Sequence, residues 1–342
     1  MQGNQATGRS GGTEISVDSE SRLTVLVALA ANLLIALAKL VGGLISGSSS
    51  MLAEAAHSVA DTLNQVFLLA SLRAAERPAD PEHPFGYGKA RFFWSLLAAV
   101  GIFVAGAVFS IYEGVHTLLH GSGDAKHLIV SFAVLGIAFV AEGTSWLRAL
   151  NQVRRQAEAA GRPLSRFLAA SKDPTLKTVL AEDSAALIGL VLAALGIGMH
   201  AVTGQAWWDG AAAIAIGLLL AVVAFLLGRE NRDLLLGEGA DPELVVDWYD
   251  TLRQAEEVEE VVELLTMYLG PDTVLLAARL DFRDDLRASE VEAFASDMER
   301  QLLARWPQVQ QVFLDPTRSD PEVAQRTRRH FERLRQGLTA RR

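Results

Sequence analysis

Six apolar runs of membrane-spanning length, at about residues 22–46, 49–73, 92–119, 128–150, 174–200 and 206–229, constrain this chain more than any other feature. A helix needs roughly 20 apolar residues to cross the hydrocarbon core. Inside that core only helices and closed barrels satisfy their own backbone. The fold class expected is therefore an α-helical membrane protein, built on a six-helix bundle. The first two runs are joined by SGSSS (46–50), long enough only for a tight turn. Residues 1–21 are small and polar and read as a disordered tail. They lack the basic start and cleavage pattern of a signal peptide.

Orientation follows from Lys and Arg. Arg73, Arg77, Lys89 and Arg91 follow the second run. Arg154, Arg155, Arg162, Arg166, Lys172 and Lys177 follow the fourth, and Arg229 and Arg232 close the sixth. The opposite side carries only Lys126. The positive-inside rule then places both termini in the cytoplasm. A multi-pass protein of a bacterial inner membrane is the expected setting.

The character of the chain changes after residue 237. DPELVVDWYDTLRQ (241–254) reads as an amphipathic helix and EVEEVVELLTMYL (257–269) as a strand. A Gly-Pro-Asp turn follows. In TVLLAARLDF (273–282) apolar residues alternate with the period of a half-buried strand. Residues 288–306 read as helix and 309–316 as a last strand. The order α-β-β-α-β predicts a small α+β, ferredoxin-like cytoplasmic domain over 238–316, after a transmembrane domain over 22–232. The basic stretch 317–342 reads as a solvated tail. Residues 238–315 hold 19 acidic and 6 basic side chains, which argues against nucleic acid as a partner. The chain has no cysteine, so any metal chemistry must use His, Asp and Glu.

The polar residues within the apolar runs carry the functional signal. Glu54, His57, Asp61 and Asn64 recur at spacings of three and four in the second run. His57 and Asp61 are therefore about 40° apart and about 6 Å apart along one helix face. Imidazole and carboxylate can grip one divalent cation together, and a carboxylate at mid-bilayer usually faces a cavity. A plain interhelical hydrogen-bonded pair is the structural alternative. Glu182 and Asp183 are adjacent in the fifth run, about 100° apart, so they cannot both aim at one point without help from their rotamers. Lys39 and Glu142 read as a pair or as cavity-facing groups, and Asp209 as a helix–helix contact. His116 and His120 share the spacing of four near a membrane surface.

These features together resemble the cation diffusion facilitator family of metal transporters. The likeness rests on six runs, SSSMLAEAAHSVADTLNQ (48–65), the HPFGYGKAR loop (83–91), the paired acids and the α-β-β-α-β domain. It extends over residues 20 to 316. LAEDSAALIG, LLLGEGA (234–240) and TMYLGPDTVLLA (266–277) are similar to the branch of the eukaryotic mitochondrial member. The resemblance implies a homodimer moving Zn²⁺ or a related divalent cation out of the cytoplasm in exchange for protons, with no cofactor. It implies His57, Asp61 and Asp183 as ligands. The family's fourth ligand falls on Val179, which cannot coordinate, so Glu182 is the substitute, with water as the alternative. Glu54 is then a candidate proton relay and Asn64 a supporting residue.

Two accessory features follow from the same resemblance. Asp80 and His83 match an accessory metal site whose third ligand is here Tyr87. Residues 238–320 contain no His, so no tight zinc cluster is expected in the cytoplasmic domain. Lys89 matches a basic residue that forms a salt bridge near the dimer interface, with Asp233 or Glu238 as partner. A carboxylate-rich site leaves Mn²⁺, Fe²⁺, Co²⁺ and Cd²⁺ open as substrates beside Zn²⁺. An intramembrane metalloprotease would need HExxH, and HSVAD lacks the glutamate. The chain is therefore expected to be a secondary transporter rather than an enzyme. A metal sensor that does not transport is the alternative function.

Overall fold

A computed structural model describes residues 14–121, 127–170 and 174–340. Helices α1 (Glu14–Ser46), α2 (Ser49–Ala75), α3 (Ala90–Gly101), α4 (Phe109–His120), α5 (Leu128–Ala159), α6 (Leu164–Ala170), α7 (Pro174–Thr203) and α8 (Trp207–Leu236) come first. A π-helical segment, Ile102–Val108, joins α3 to α4 and makes Ala90–His120 one continuous 31-residue stretch. Then follow α9 (Pro242–Arg253), β1 (Val258–Gly270), β2 (Thr273–Phe282), α10 (Ala288–Arg305), β3 (Val309–Pro316) and α11 (Pro321–Ala340). Among the described residues, five helices are long and apolar enough to cross a membrane: α1, the α3–α4 stretch, α5, α7 and α8. The sixth expected run, α2, has 27 residues and so the necessary length. It falls short on apolarity because it carries Glu54, His57, Asp61 and Asn64. Lys172 and Lys126 lie outside the described residues.

The helix α1 starts at Glu14, inside the stretch expected to be a disordered tail. The sequence EISVDSES (14–21) has no glycine or proline to stop a helix, and α1 runs through it.

The chain divides into two compact units. One comprises Met1–Phe67, Ala98–Leu150 and Val179–Leu226. The other comprises Leu68–Leu97, Asn151–Thr178 and Leu227–Arg342. The division cuts across helices rather than falling between residues 232 and 238. Phe92 of α3 and Leu234 of α8 are the reason, because both are buried in one core with Trp248, Tyr249 and Leu276.

The first unit packs through small residues. Ala53, Ala60, Ala186, Ala193 and Ala213 are buried, as close helix approach in lipid requires. Leu34, Ile137, Val140, Phe225 and Leu226 are exposed on its outside, a surface that suits hydrocarbon rather than water. Gly47 turns the chain between α1 and α2 with φ of +69°, a left-handed conformation glycine adopts without a Cβ clash. The N-terminus of α2 then meets Asp209 of α8, which is fully buried. Its carboxylate accepts from the backbone N–H of Ser49 (2.7 Å) and Ser50 (3.3 Å), and from the hydroxyls of Ser48 (2.9 Å), Ser49 (3.0 Å) and Ser50. A carboxylate supplied by another helix thus satisfies the N–H groups that open α2 and complements its dipole.

In the second unit the sheet runs β1-β2-β3, with β1 and β2 antiparallel and β2 and β3 parallel. Val274, Leu276, Ala278 and Leu280 alternate inward along β2, as the period of two predicts. In β1, register shifts between Val258 and Glu260 and between Val261 and Glu263 break the alternation, and Glu260, Val261 and Val262 are all buried. Asp241 caps α9 by accepting from the N–H of Glu243 at 2.8 Å.

The stretch expected to be a solvated basic tail is instead largely the helix α11, docked on this domain. Phe331 is buried and stacks on Tyr249 with ring centroids 3.8 Å apart. Thr327 donates to the carbonyl of Val262 at 2.7 Å, and Arg328 pairs with the buried Glu260. Ala324, Phe331, Leu334 and Leu338 form a stripe at helical spacing that the arginines between them hide in the sequence. Phe331→Ala should cost this unit about 3–5 kcal/mol. The expected reading is faster amide exchange along β1 and α11 of the full-length protein.

Candidate metal site in the helical unit

One face of α2 carries the four polar residues inward. Glu54 is fully buried, His57 is 1% exposed and Asn64 is 7% exposed. Asp61 is 15% exposed at its side chain. The spacing of three, four and three does this, because it keeps each side chain within about 60° of the next on a helix. His57 Nδ1 lies 3.5 Å from Asp61 Oδ1, in contact but not hydrogen-bonded.

The fifth run, α7, faces α2 with only one of its two acids. Glu182 is buried and accepts from the side-chain amide of Asn64 at 2.5 Å. Asp183 turns away to α5, where it accepts from the hydroxyl of Ser145 at 2.9 Å. The next residue, Ser184, accepts from the indole N–H of Trp146 at 2.9 Å, on the same side. The rotation of about 100° between neighbours thus separates the pair. His57, Asp61 and Glu182 share the α2–α7 face, and Asp183 belongs to the α5 side.

Several buried atoms on that face have no hydrogen-bond partner: both ring nitrogens of His57, Asp61 Oδ1, Glu182 Oε1 and Glu54 Oε1. Leaving such groups unpaired in an apolar interior is costly, and a cation held among them would satisfy them. They are also the donor types that bind Zn²⁺, Mn²⁺ and related ions. Among the described residues no three His, Asp or Glu side chains already stand close enough together to enclose a metal. The arrangement is two pairs, His57–Asp61 and Asn64–Glu182, that side-chain rotation would have to bring together.

Sequence reasoning missed the serines. Ser58 accepts from Lys39, and Ser145 holds Asp183. Ser145 lies three residues after Glu142, so one face of α5 carries both. That spacing was the available signal.

The other candidates fall elsewhere. The loop after α2 folds on Asp80, whose Oδ2 accepts from the Tyr87 hydroxyl at 2.6 Å and whose Oδ1 accepts from the N–H of His83 at 2.7 Å. The Tyr87 hydroxyl, then the His83 backbone, hold the Asp80 carboxyl below its ordinary range. The His83 ring lies on Tyr87, and Arg77 covers the other contact of that phenol ring at 4.5 Å. The structure joins Asp80 and His83, with a phenol as the third member. Lys89 lies 3.5 Å from the sulfur of Met267, while Asp233 pairs with Arg232. His116 and His120 stack on each other with centroids 4.5 Å apart.

Residues 25–236, spanning every helix of this site, match the model of the cation efflux transmembrane domain. The chain belongs to the cation efflux family. These are transporters, not enzymes, and this cation efflux protein is related to the mitochondrial member. It is 34% identical over 258 residues to "Proton-coupled zinc antiporter SLC30A9, mitochondrial" of Mus musculus, covering 75% of this chain and 45% of that protein. It is 34% identical over 269 residues to "Metal tolerance protein C4" of Arabidopsis thaliana, covering 79% and 59%. It is 25% identical over 294 residues to "Manganese efflux system protein MneP" of Bacillus subtilis (strain 168), covering 86% and 95%. This cation efflux protein therefore spans about half the length of its mouse relative.

Proposed function

We propose that this protein exports a divalent cation, Zn²⁺ first, in exchange for protons, and does so as a homodimer by alternating access. The row of buried, unpartnered donor atoms on His57, Asp61 and Glu182 carries the reading. His57 and Asp61 supply the α2 ligands, Glu182 stands in where Val179 cannot, and Asp183 joins by turning from Ser145. Each ligand must be deprotonated to bind, so loading releases protons and protonation favours release. An ordinary imidazole titrates near neutrality, which makes His57 the ligand suited to coupling. Glu54, one turn toward the N-terminus of α2, relays the proton, and Asn64 supports Glu182. The surroundings proposed are a bacterial inner membrane with both termini cytoplasmic, as the lysine and arginine distribution supports. The Asp80–His83 pair serves to fold its loop around Tyr87 in this reading, rather than to hold a metal.

The carboxylate content of the site and the similarity to a manganese efflux protein support Mn²⁺ as the next substrate. Purified protein in liposomes, acid on one side, should move Zn²⁺ against the proton gradient. An intact protein that binds Zn²⁺ without moving it would replace the transporter reading with the sensor. In the same assay Glu182→Ala should lose bound Zn²⁺ by about tenfold or more. Normal binding and flux in that variant would remove Glu182 from the ligand set. Chemical cross-linking in liposomes tests the dimer.

A further inference from the structure

Lys39 is fully buried on α1, and all three protons of its ammonium are engaged. They go to Glu54 of α2 at 3.1 Å, Ser58 of α2 at 2.8 Å and Glu142 of α5 at 3.3 Å. Burying an ammonium costs several kcal/mol, and apolar side chains of similar volume would hold three helices at least as well. The lysine therefore calls for a reason other than adhesion.

The acceptors supply one. Two carboxylates and a hydroxyl converge on one point beside His57, Ser58 being the next residue and Glu54 lying one turn away. Such an all-oxygen set suits a hard divalent cation. The remaining oxygen of Glu54 is buried without a partner and stands against Gly189 of α7, where any Cβ would collide with it. A second oxygen is thus kept free at the same point, and among the described residues the cation there is Lys39, tethered to α1.

We propose that Lys39 is a specificity-determining residue, a tethered cation that fills this oxygen-rich point and keeps divalent metal from resting there. Metal is then confined to the central set of His57, Asp61, Asp183 and Glu182, and an ion leaving that site meets no second trap beside it. The inference rests on the central-site reading given above.

The test is Mn²⁺ counting per chain, by equilibrium dialysis and mass spectrometry, on full-length protein in detergent. The wild type should bind one Mn²⁺, Lys39→Met a second, and Lys39→Met/Glu142→Gln one again. Equal counts for wild type and a folded, monodisperse Lys39→Met would overturn the proposal. Glu142→Gln with Lys39 in place covers the case where Lys39→Met does not fold. It should keep the wild-type count, and loss of an equivalent would overturn the proposal, because Glu142 would already be serving a metal. A wild type that binds no Mn²⁺ while Lys39→Met binds one would support Lys39's role and sink the central-site reading instead.

Discussion

His57→Ala should lower Zn²⁺ flux by at least about a hundredfold, since changes to groups that merely support a ligand already cost ~10–100-fold in metal affinity. The residue removed has both ring nitrogens buried and unpartnered, so no hydrogen bond is lost with it. Its loss leaves a cavity among Asp61, Glu54 and α7 instead. Thermal stability in detergent should therefore fall by no more than a large-to-small core change, while flux collapses. His57→Asp separates ligand type from ligand presence. It keeps a donor on the same face of α2 and makes the set all-oxygen, which favours Mn²⁺ over Zn²⁺. Competition between the two ions in liposomes reads this directly. Full Zn²⁺ transport by His57→Ala would remove the imidazole from the mechanism and leave the carboxylates alone to explain it.

The second large effect falls on stability. Asp209→Ala should destabilise the helical unit by about 3–5 kcal/mol, because hydrogen bonds to a charged group are each worth more than neutral ones and their buried donors are left unsatisfied. Five donors at the start of α2 turn on this one carboxylate. Asp209→Asn keeps one acceptor oxygen and should recover part of the loss. The two Asp209 variants read by thermal unfolding, beside His57→Ala read by flux, distinguish a residue that fixes α2 from one that uses it. If Asp209→Ala unfolds at the wild-type temperature, the cap is not what anchors that end of the helix.

The elements of the small α+β part were largely legible, and the errors elsewhere have physical causes. The strand over 273–282 and the helix over 241–254 appear almost to the residue, because alternation and capping are local properties. The second core could not be placed, because Phe92 and Leu234 sit in helices that read as membrane spans and nothing in either helix announces the aromatic residues they join. Arginine density concealed α11, since a mean over its residues reports the solvent face and misses the stripe ending in Phe331 and Leu338.

The site divides in the same way. One face of α2 bearing Glu54, His57, Asp61 and Asn64, and the separation of about 100° between Glu182 and Asp183, were settled by sequence, since each follows from 3.6 residues per turn. Tertiary structure decided which acid of α7 meets α2, that Asn64 holds it, that Ser145 takes the other, and that Lys39 binds Glu54 and Glu142 together. Those contacts depend on how far each helix is rotated and slid against its neighbours. Rotation and depth are set by the packing of Ala and Gly faces across the whole bundle, and no single helix carries that information.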